Sequence, residues 1–154
     1  MGKKYSGDSL QIAATDAYVK LMRAADTVQN HLARNAENHG LTISQFGVLE
    51  ALLHLGSMRQ NELAKKILKS GGNLTRVIDN LEKNGLVKRT PDPEDRRAFQ
   101  INLTEKGTEL ISSIFPQHMD DIYRFFSVLS EKELTTLASF CKKIGIEAGP
   151  HTPN

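Results

Sequence analysis

The chain has 154 residues, 39% hydrophobic and 25% charged, with one cysteine and no tryptophan. That suffices for one domain with its own core and excludes disorder over most of the length. One cysteine excludes an internal disulfide, and no apolar run follows the basic residues of MGKKYSGDSLQIAATDAY, so no signal peptide, no membrane span and a cytoplasmic protein are expected.

The net charge is only +2, but it is unevenly spread. Ten Lys/Arg and six acids fall within residues 57–100, so that stretch carries +4 and the remainder −2. A basic excess on one segment points to a polyanionic partner.

Residues 1–8 read as a flexible arm. Over residues 9–39, Leu10, Ala14, Ala17, Tyr18, Leu21, Ala25, Val28 and Leu32 recur at helical spacing, with Gly40 as the stop. Such a helix is about 45 Å long at 1.5 Å per residue. One small domain cannot cover that length, so part of its apolar face is expected to meet another chain.

Thr42 and Gln45 have capping-box spacing. Phe46, Leu49, Leu52 and Leu53 then form a buried face that ends at Gly56. Met58 and Arg59 suit a short strand pairing with a later hairpin. A short helix over residues 61–69 turns Leu63, Ala64, Ile67 and Leu68 inward. Ser70-Gly71-Gly72-Asn73 is a turn that caps the next helix, and two short helices so joined form a helix-turn-helix. In that second helix Leu74, Val77, Ile78 and Leu81 share one face, while Asn73, Arg76, Asn80 and Lys83 lie on another, free to meet a polar partner. Gly85 follows, where a left-handed residue suits glycine. LVKRT and FQINL alternate as strands, and the PDPEDRRA between them is too long and polar for a tight turn.

Thr104 reads as the cap of a long helix with Leu110, Ile111, Ile114, Ile122, Phe125 and Phe126 inward, which Pro116 is expected to kink or interrupt. Ser130 and Glu133 form another capping box, opening a last helix with Leu134, Leu137, Ala138, Cys141 and Ile144 on one face. The tail EAGPHTPN is expected to be disordered. The predicted fold class is mainly α, a winged helix-turn-helix of about six helices with a β-hairpin wing. The DNA-binding domain spans residues 41–103. Residues 9–40 and 104–146 supply N- and C-terminal helices for dimerisation, and 147–154 are a flexible tail.

Four segments carry a resemblance together: LTISQFGVLEAL, NELAKKI, GGNLTRVIDNLEKNGLVKR and DPEDRRAFQINLTEKG. With all four correctly spaced, the sequence over about residues 14–144 resembles the MarR family of bacterial transcription regulators. The resemblance implies a homodimer, usually a repressor, on the double-stranded DNA of a pseudo-palindromic operator. Many such proteins release DNA when a small, often aromatic, effector binds or a cysteine is oxidised. Arg59 departs from the pattern, since related sequences often have a small N-cap residue there; the cap is then weaker, or the arginine contacts phosphate. The peroxide-sensing cysteine near the start of the first long helix is missing, and so is the zinc-sensing cluster of His, Glu and Cys.

The start of the recognition helix is expected in the major groove. Gly71 and Gly72 allow close backbone approach, and with Ser70 they lie where a helix end favours phosphate. Asn73, Thr75 and Arg76 are candidates for base edges: arginine takes two acceptors of guanine, and asparagine pairs with adenine. Asn80 and Lys83 lie further along, at phosphate range. In the family an Asp-x-Arg pair places an arginine in the minor groove with the acid orienting its guanidinium. Asp95 and Arg97 match that pair, leaving Arg96 for phosphate. The bland reading of these residues is solvated surface and an exposed ion pair of little worth.

Cys141 on an apolar stripe reads as a buried small hydrophobe rather than a redox sensor. His31 and His39 are eight apart, and no H-x-x-x-H pair occurs, so no metal is expected. No catalytic residues and no cofactor are expected either: no Gly-rich phosphate loop follows a strand, and no Ser/His/Asp set is apparent. In MarR-like folds a ligand cleft lies between the dimerising helices and the reading unit. His31, Phe46, Glu50 and His54 are candidates to line it, in a pattern suited to a phenolic or quinone-like compound, against a reading of each as ordinary core or surface. The sequence thus points to a ligand-released repressor. A ligand-independent DNA-binding activator and a winged-helix protein-interaction module are the alternatives.

Overall fold

The computed structural model describes residues 6–67 and 74–147. In chain order these form α1 (Ser9–Glu37), α2 (Ile43–Leu55), β1 (Met58–Arg59), α3 (Gln60–Lys66), α4 (Leu74–Lys83), β2 (Val87–Pro91), β3 (Phe99–Leu103), α5 (Glu105–Phe126) and α6 (Glu131–Glu147). The chain forms two compact units that divide between His118 and Met119.

In the first unit, local chemistry marks most helix boundaries. Asp8 Oδ1 accepts the Gln11 N–H at 2.8 Å, and the Gln11 side chain answers to the Asp8 N–H, opening α1 with a capping box. Thr42 and Gln45 do the same for α2. Thr104 Oγ1 accepts the Gly107 N–H at 3.0 Å and caps α5. At the end of α4, Gly85 sits at φ 71° and the Leu86 N–H reaches back to the Leu81 carbonyl at 2.9 Å, a Schellman-type closure. That turn points the chain into the hairpin.

The core gathers one face of each element. Leu49 of α2, Leu63 of α3, Ile78 and Leu81 of α4, Val87 of β2, Ile101 of β3 and Ile111 of α5 are all fully buried. The sheet is antiparallel in the order β1-β3-β2, with Met58 opposite Ile101 and Val87 opposite Leu103. The winged helix-turn-helix expected from the sequence is present, with α3 and α4 as the helix pair and β2–β3 as the wing. The first of those helices, expected over 61–69, runs from Gln60 to Lys66 with Ile67 as its extended C-cap; Leu68 and Lys69 lie outside the described residues.

Pro116 does not interrupt α5, which runs unbroken past it. Ile111 and Ile114 are buried on one side, whereas Ser112 and Pro116 are exposed. The carbonyl that loses a partner at proline therefore faces water, and core packing carries the helix through.

α1 is a contrasting case. Of its 29 residues only Ala36 is buried, and Leu10, Ile12, Tyr18 and Met22 are exposed. In the second unit, Ser130 and Glu133 cap α6 as expected. Bonds from the Ser130 N–H and hydroxyl hold the Glu133 carboxyl below its ordinary pKa. Leu134 and Leu137 are half-buried, but Phe140 and Ile144 are exposed. Cys141 is exposed as well, which corrects the expectation of a buried cysteine. The apolar stripe exists as a pattern, and among the described residues its C-terminal part stays uncovered.

Gly107 has a packing role. A Cβ there would lie 1.9 Å from the Leu86 carbonyl oxygen, which is backbone and cannot swing away. Gly107→Ala should therefore cost about 2–3 kcal/mol. For a chain of this size that is a fall of about 5–10 °C in Tm, read by thermal unfolding followed by circular dichroism.

Candidate nucleic-acid interface

α4 is seated by Ile78 and Leu81, which leaves Thr75, Arg76, Asn80 and Lys83 exposed. Its position is further fixed from two sides. Gln60 of α3 donates from Nε2 to Thr75 Oγ1 at 2.7 Å. Arg89 of β2 donates from its guanidinium to Glu82, and to Asp79 Oδ1 at 2.5 Å, while its N–H reaches Glu82 Oε1 at 3.0 Å. Partial burial of Arg89 opposes its charge, but the bonds to Asp79 and Glu82 outweigh that and raise its pKa. The recognition helix and the wing strand are thus cross-linked, and the charge of Arg89 is spent inside the protein.

The wing loop is organised by Asp92, whose side chain is 2% exposed. Its Oδ2 accepts from Arg59 Nε at 2.7 Å and Gln100 Nε2 at 3.2 Å; its Oδ1 accepts from Arg59 Nη2 at 3.0 Å and from the N–H groups of Glu94 and Asp95 at 2.8 and 3.1 Å. Arg59 and Gln100 face each other across the β1–β3 ladder, so both donors arrive from the sheet. The Asp92 N–H donates to the Ala98 carbonyl at 3.0 Å and closes the loop. Two-point binding by Arg59 is the largest cause holding the Asp92 carboxyl well below the usual carboxylate range, and the same contact raises Arg59.

Arg59 stands at the N-cap of α3 and has no acceptor to offer the helix. Glu62 supplies half of a capping box, accepting the Arg59 N–H at 2.9 Å. The guanidinium of Arg59 is bound to Asp92 through Nε and Nη2. Asp92 itself went unsuspected in the sequence. Its one signal was the arginine standing where a small capping residue is usual.

The remaining candidates fall as follows. Asp95, Arg96 and Arg97 are exposed in the wing loop. Asp95 Oδ1 accepts the main-chain N–H of Arg97 at 3.0 Å, so it orients the backbone rather than, as expected, the guanidinium. Among the described residues no ion pair joins the two side chains. Ser70, Gly71, Gly72 and Asn73 lie outside the described residues.

For the ligand candidates, Phe46 stacks 4.3 Å from His118, and His54 meets Phe115 edge-on at 4.5 Å, with Phe115 and His118 6.2 Å apart. These four rings form one group within the first unit. Phe46 and His54 are two of the residues expected to line a ligand cleft; Phe115 and His118 of α5 were not linked to them, because helical spacing alone does not show which face of α5 turns toward α2. Glu50 and His31 are half-buried on α2 and α1. No metal-binding group of His, Cys, Asp and Glu occurs among the described residues.

Comparison with known proteins adds an independent line. The MarR family model matches residues 41–99. The chain is 37% identical over 131 residues to the HTH-type transcriptional regulator MhqR of Bacillus subtilis (strain 168), covering 85% of this chain and 90% of that one. It is 38% identical over 135 residues to the uncharacterized HTH-type transcriptional regulator YkoM of the same organism, covering 88% of each. Among solved structures it resembles Sco3205, a MarR family transcriptional regulator from Streptomyces coelicolor crystallised with DNA. The TM-score is 0.80 at 24% identity, with 97% of this chain and 94% of that chain covered. At that identity the likeness speaks for the fold.

The Asp92 site makes a pH prediction. A carboxyl with a depressed folded-state pKa contributes stability above its unfolded value, ordinarily 3.8, and loses it only as pH falls through the lower folded value. The Asp92 carboxyl carbon signal should therefore stay flat between pH 7 and pH 4 in an NMR titration. A midpoint at or above 3.8 would show the anchor to be absent.

Proposed function

The chain belongs to the MarR family, and we propose that it acts as a homodimeric repressor that reads a pseudo-palindromic operator and releases it on binding a small aromatic compound. That it regulates transcription and is not an enzyme follows from its family. The observation that carries the finer reading is the Arg89 cross-link. It makes α4 and the wing one body, while Thr75, Arg76, Asn80, Arg96 and Arg97 remain exposed.

In this reading Thr75 and Arg76, with Ser70, Gly71, Gly72 and Asn73 before them, meet the major groove, and Asn80 meets phosphate. Arg97 enters a minor groove, where narrow A·T-rich segments concentrate negative potential. Arg96 takes phosphate, and Asp95 sets the Arg97 backbone. Thr75 already accepts from Gln60, so its hydroxyl proton remains available to donate outward.

The homodimer is supported by α1, whose exposed Leu10, Ile12, Tyr18 and Met22 are costly to leave in water. Two readers held by such a contact would meet half-sites about 34 Å apart. The effector reading is supported by the ring group of Phe46, His54, Phe115 and His118, which offers aromatic faces beside imidazole donors and acceptors. A phenol or quinone has matching chemistry. Glu50 and His31 are its remaining candidate neighbours.

A duplex from the region upstream of its own gene tests the reading. Binding should weaken steeply with salt, and Arg97→Ala should raise Kd about tenfold or more with Tm unchanged. Equal binding of random duplex at physiological salt would favour a protein-interaction module. Sedimentation should give twice the 17.1 kDa chain mass. Phenols or quinones should release the duplex from the wild type and fail to release it from Phe46→Ala; no release by any member of such a set would favour a ligand-independent regulator.

A further inference from the structure

Arg59 does not cap its helix and does not face solvent freely; it reaches across the sheet to a carboxylate thirty-three residues later. From this geometry we propose that Arg59 is a positioning residue for DNA binding, holding the wing loop through Asp92 so that Arg97 is presented in one orientation. The inference rests on the reading that Arg97 of the wing meets DNA.

The connection is continuous. The Arg59 guanidinium grips both oxygens of Asp92 at 2.7 and 3.0 Å. Asp92 Oδ1 holds the Asp95 N–H at 3.1 Å. Asp95 Oδ1 holds the Arg97 N–H at 3.0 Å, and the Ala98 N–H returns to the Asp95 carbonyl at 2.9 Å. Three links therefore run from the first residue before α3 to the main chain of the wing tip. The loop between Asp92 and Ala98 has no core of its own: Pro93, Glu94, Asp95, Arg96 and Arg97 are all exposed. Hydrogen bonds alone define its shape, and most of them converge on Asp92.

Burial decides why an arginine is needed. A carboxylate 2% exposed has lost its water and must be fully satisfied by protein donors. Gln100 and two N–H groups supply three bonds but no positive charge. Arg59, with 33% of its side chain exposed, supplies the charge together with a planar fork that fits both oxygens. Lysine would keep the charge and lose the second bond. A small capping residue at 59 could not reach at all. The departure from the family pattern at this position is thereby explained as a trade of a helix cap for a wing anchor.

A direct phosphate contact by Arg59 is the rival, and charge separates the two. Asp92→Asn removes a negative charge near a polyanion, so a purely electrostatic role predicts tighter binding. Positioning predicts weaker binding, because a neutral amide cannot replace both acceptor oxygens. The test uses the full chain, the duplex from upstream of its own gene, and four variants: Arg59→Ala, Arg59→Lys, Asp92→Asn and Arg97→Ala.

Arg59→Ala and Asp92→Asn should each raise Kd about three- to thirtyfold, with Arg59→Lys between wild type and Arg59→Ala. Combined with Arg97→Ala, Arg59→Ala should weaken binding less than it does alone, since the side chain it positions is already gone. Amide exchange at Glu94 and Asp95 should quicken in Arg59→Ala. Full additivity with Arg97→Ala or tighter binding by Asp92→Asn would each overturn the inference. Unchanged binding by Arg59→Ala alongside weakened Arg97→Ala overturns it alone; unchanged binding by Arg97→Ala overturns the wing reading and this inference with it. If Arg59→Ala fails to fold, Arg59→Lys and Asp92→Asn carry the same comparisons.

Discussion

One buried carboxylate sets the conditions for the wing and the helix pair beside it. Asp92 leaves β2 into the wing with its side chain out of reach of water. An ionised group in that position is tolerable only if donors surround it, and they come from β1, from β3 and from the loop it begins. The requirement works in reverse as well. Because Asp92 needs Arg59, the start of α3 is tied to the wing; because it needs two loop N–H groups, the loop has one shape. Rigidity at the wing is thus a consequence of satisfying a charge.

A second cross-link has the same logic in the other direction. Arg89 on β2 answers Asp79 and Glu82 on α4, so the helix that offers Thr75, Arg76 and Asn80 cannot shift without its strand. Together with Gln60 on Thr75, three side-chain contacts bind α3, α4 and the wing into a single body on top of the shared core. If a ligand changes operator affinity, it has little scope to deform this body from within. The more economical route is to move the body whole, which is where the spacing of two half-sites becomes a sensitive variable.

How much of this could be read in advance varied with the range of the interaction. Features written within four residues were legible: Thr42 with Gln45, Ser130 with Glu133, Thr104 before α5, and glycine at 56 and 85. Faces written in helical or strand periodicity were legible too, which is why Ile78, Leu81 and Ile101 lie in the core. The Arg59–Asp92 pair was not, since no periodicity connects residues so far apart, and an arginine in a capping slot shows only that something else is going on. Phe115 and His118 were missed for the same reason: joining them to Phe46 and His54 needs the packing of α5 on α2. Pro116 misled because the local rule ignores which side of the helix is wet.

Cys141 and the length of α1 raise one last point about what a single chain can display. A stripe pattern states that residues want burial; it does not name what buries them. In the first unit the stripes of α2, α4 and α5 find one another, and Leu49, Ile78 and Ile111 vanish from the surface. On α1 and α6 the same kind of stripe stays exposed, at Leu10, Tyr18 and Met22 on one and Phe140, Cys141 and Ile144 on the other. Isolated helices gain little from propensity alone, so a helix of 29 residues with one buried side chain owes its stability to contacts outside itself. The exposed cysteine is then an ordinary member of an apolar face, and its chemistry is governed by whether that face is covered.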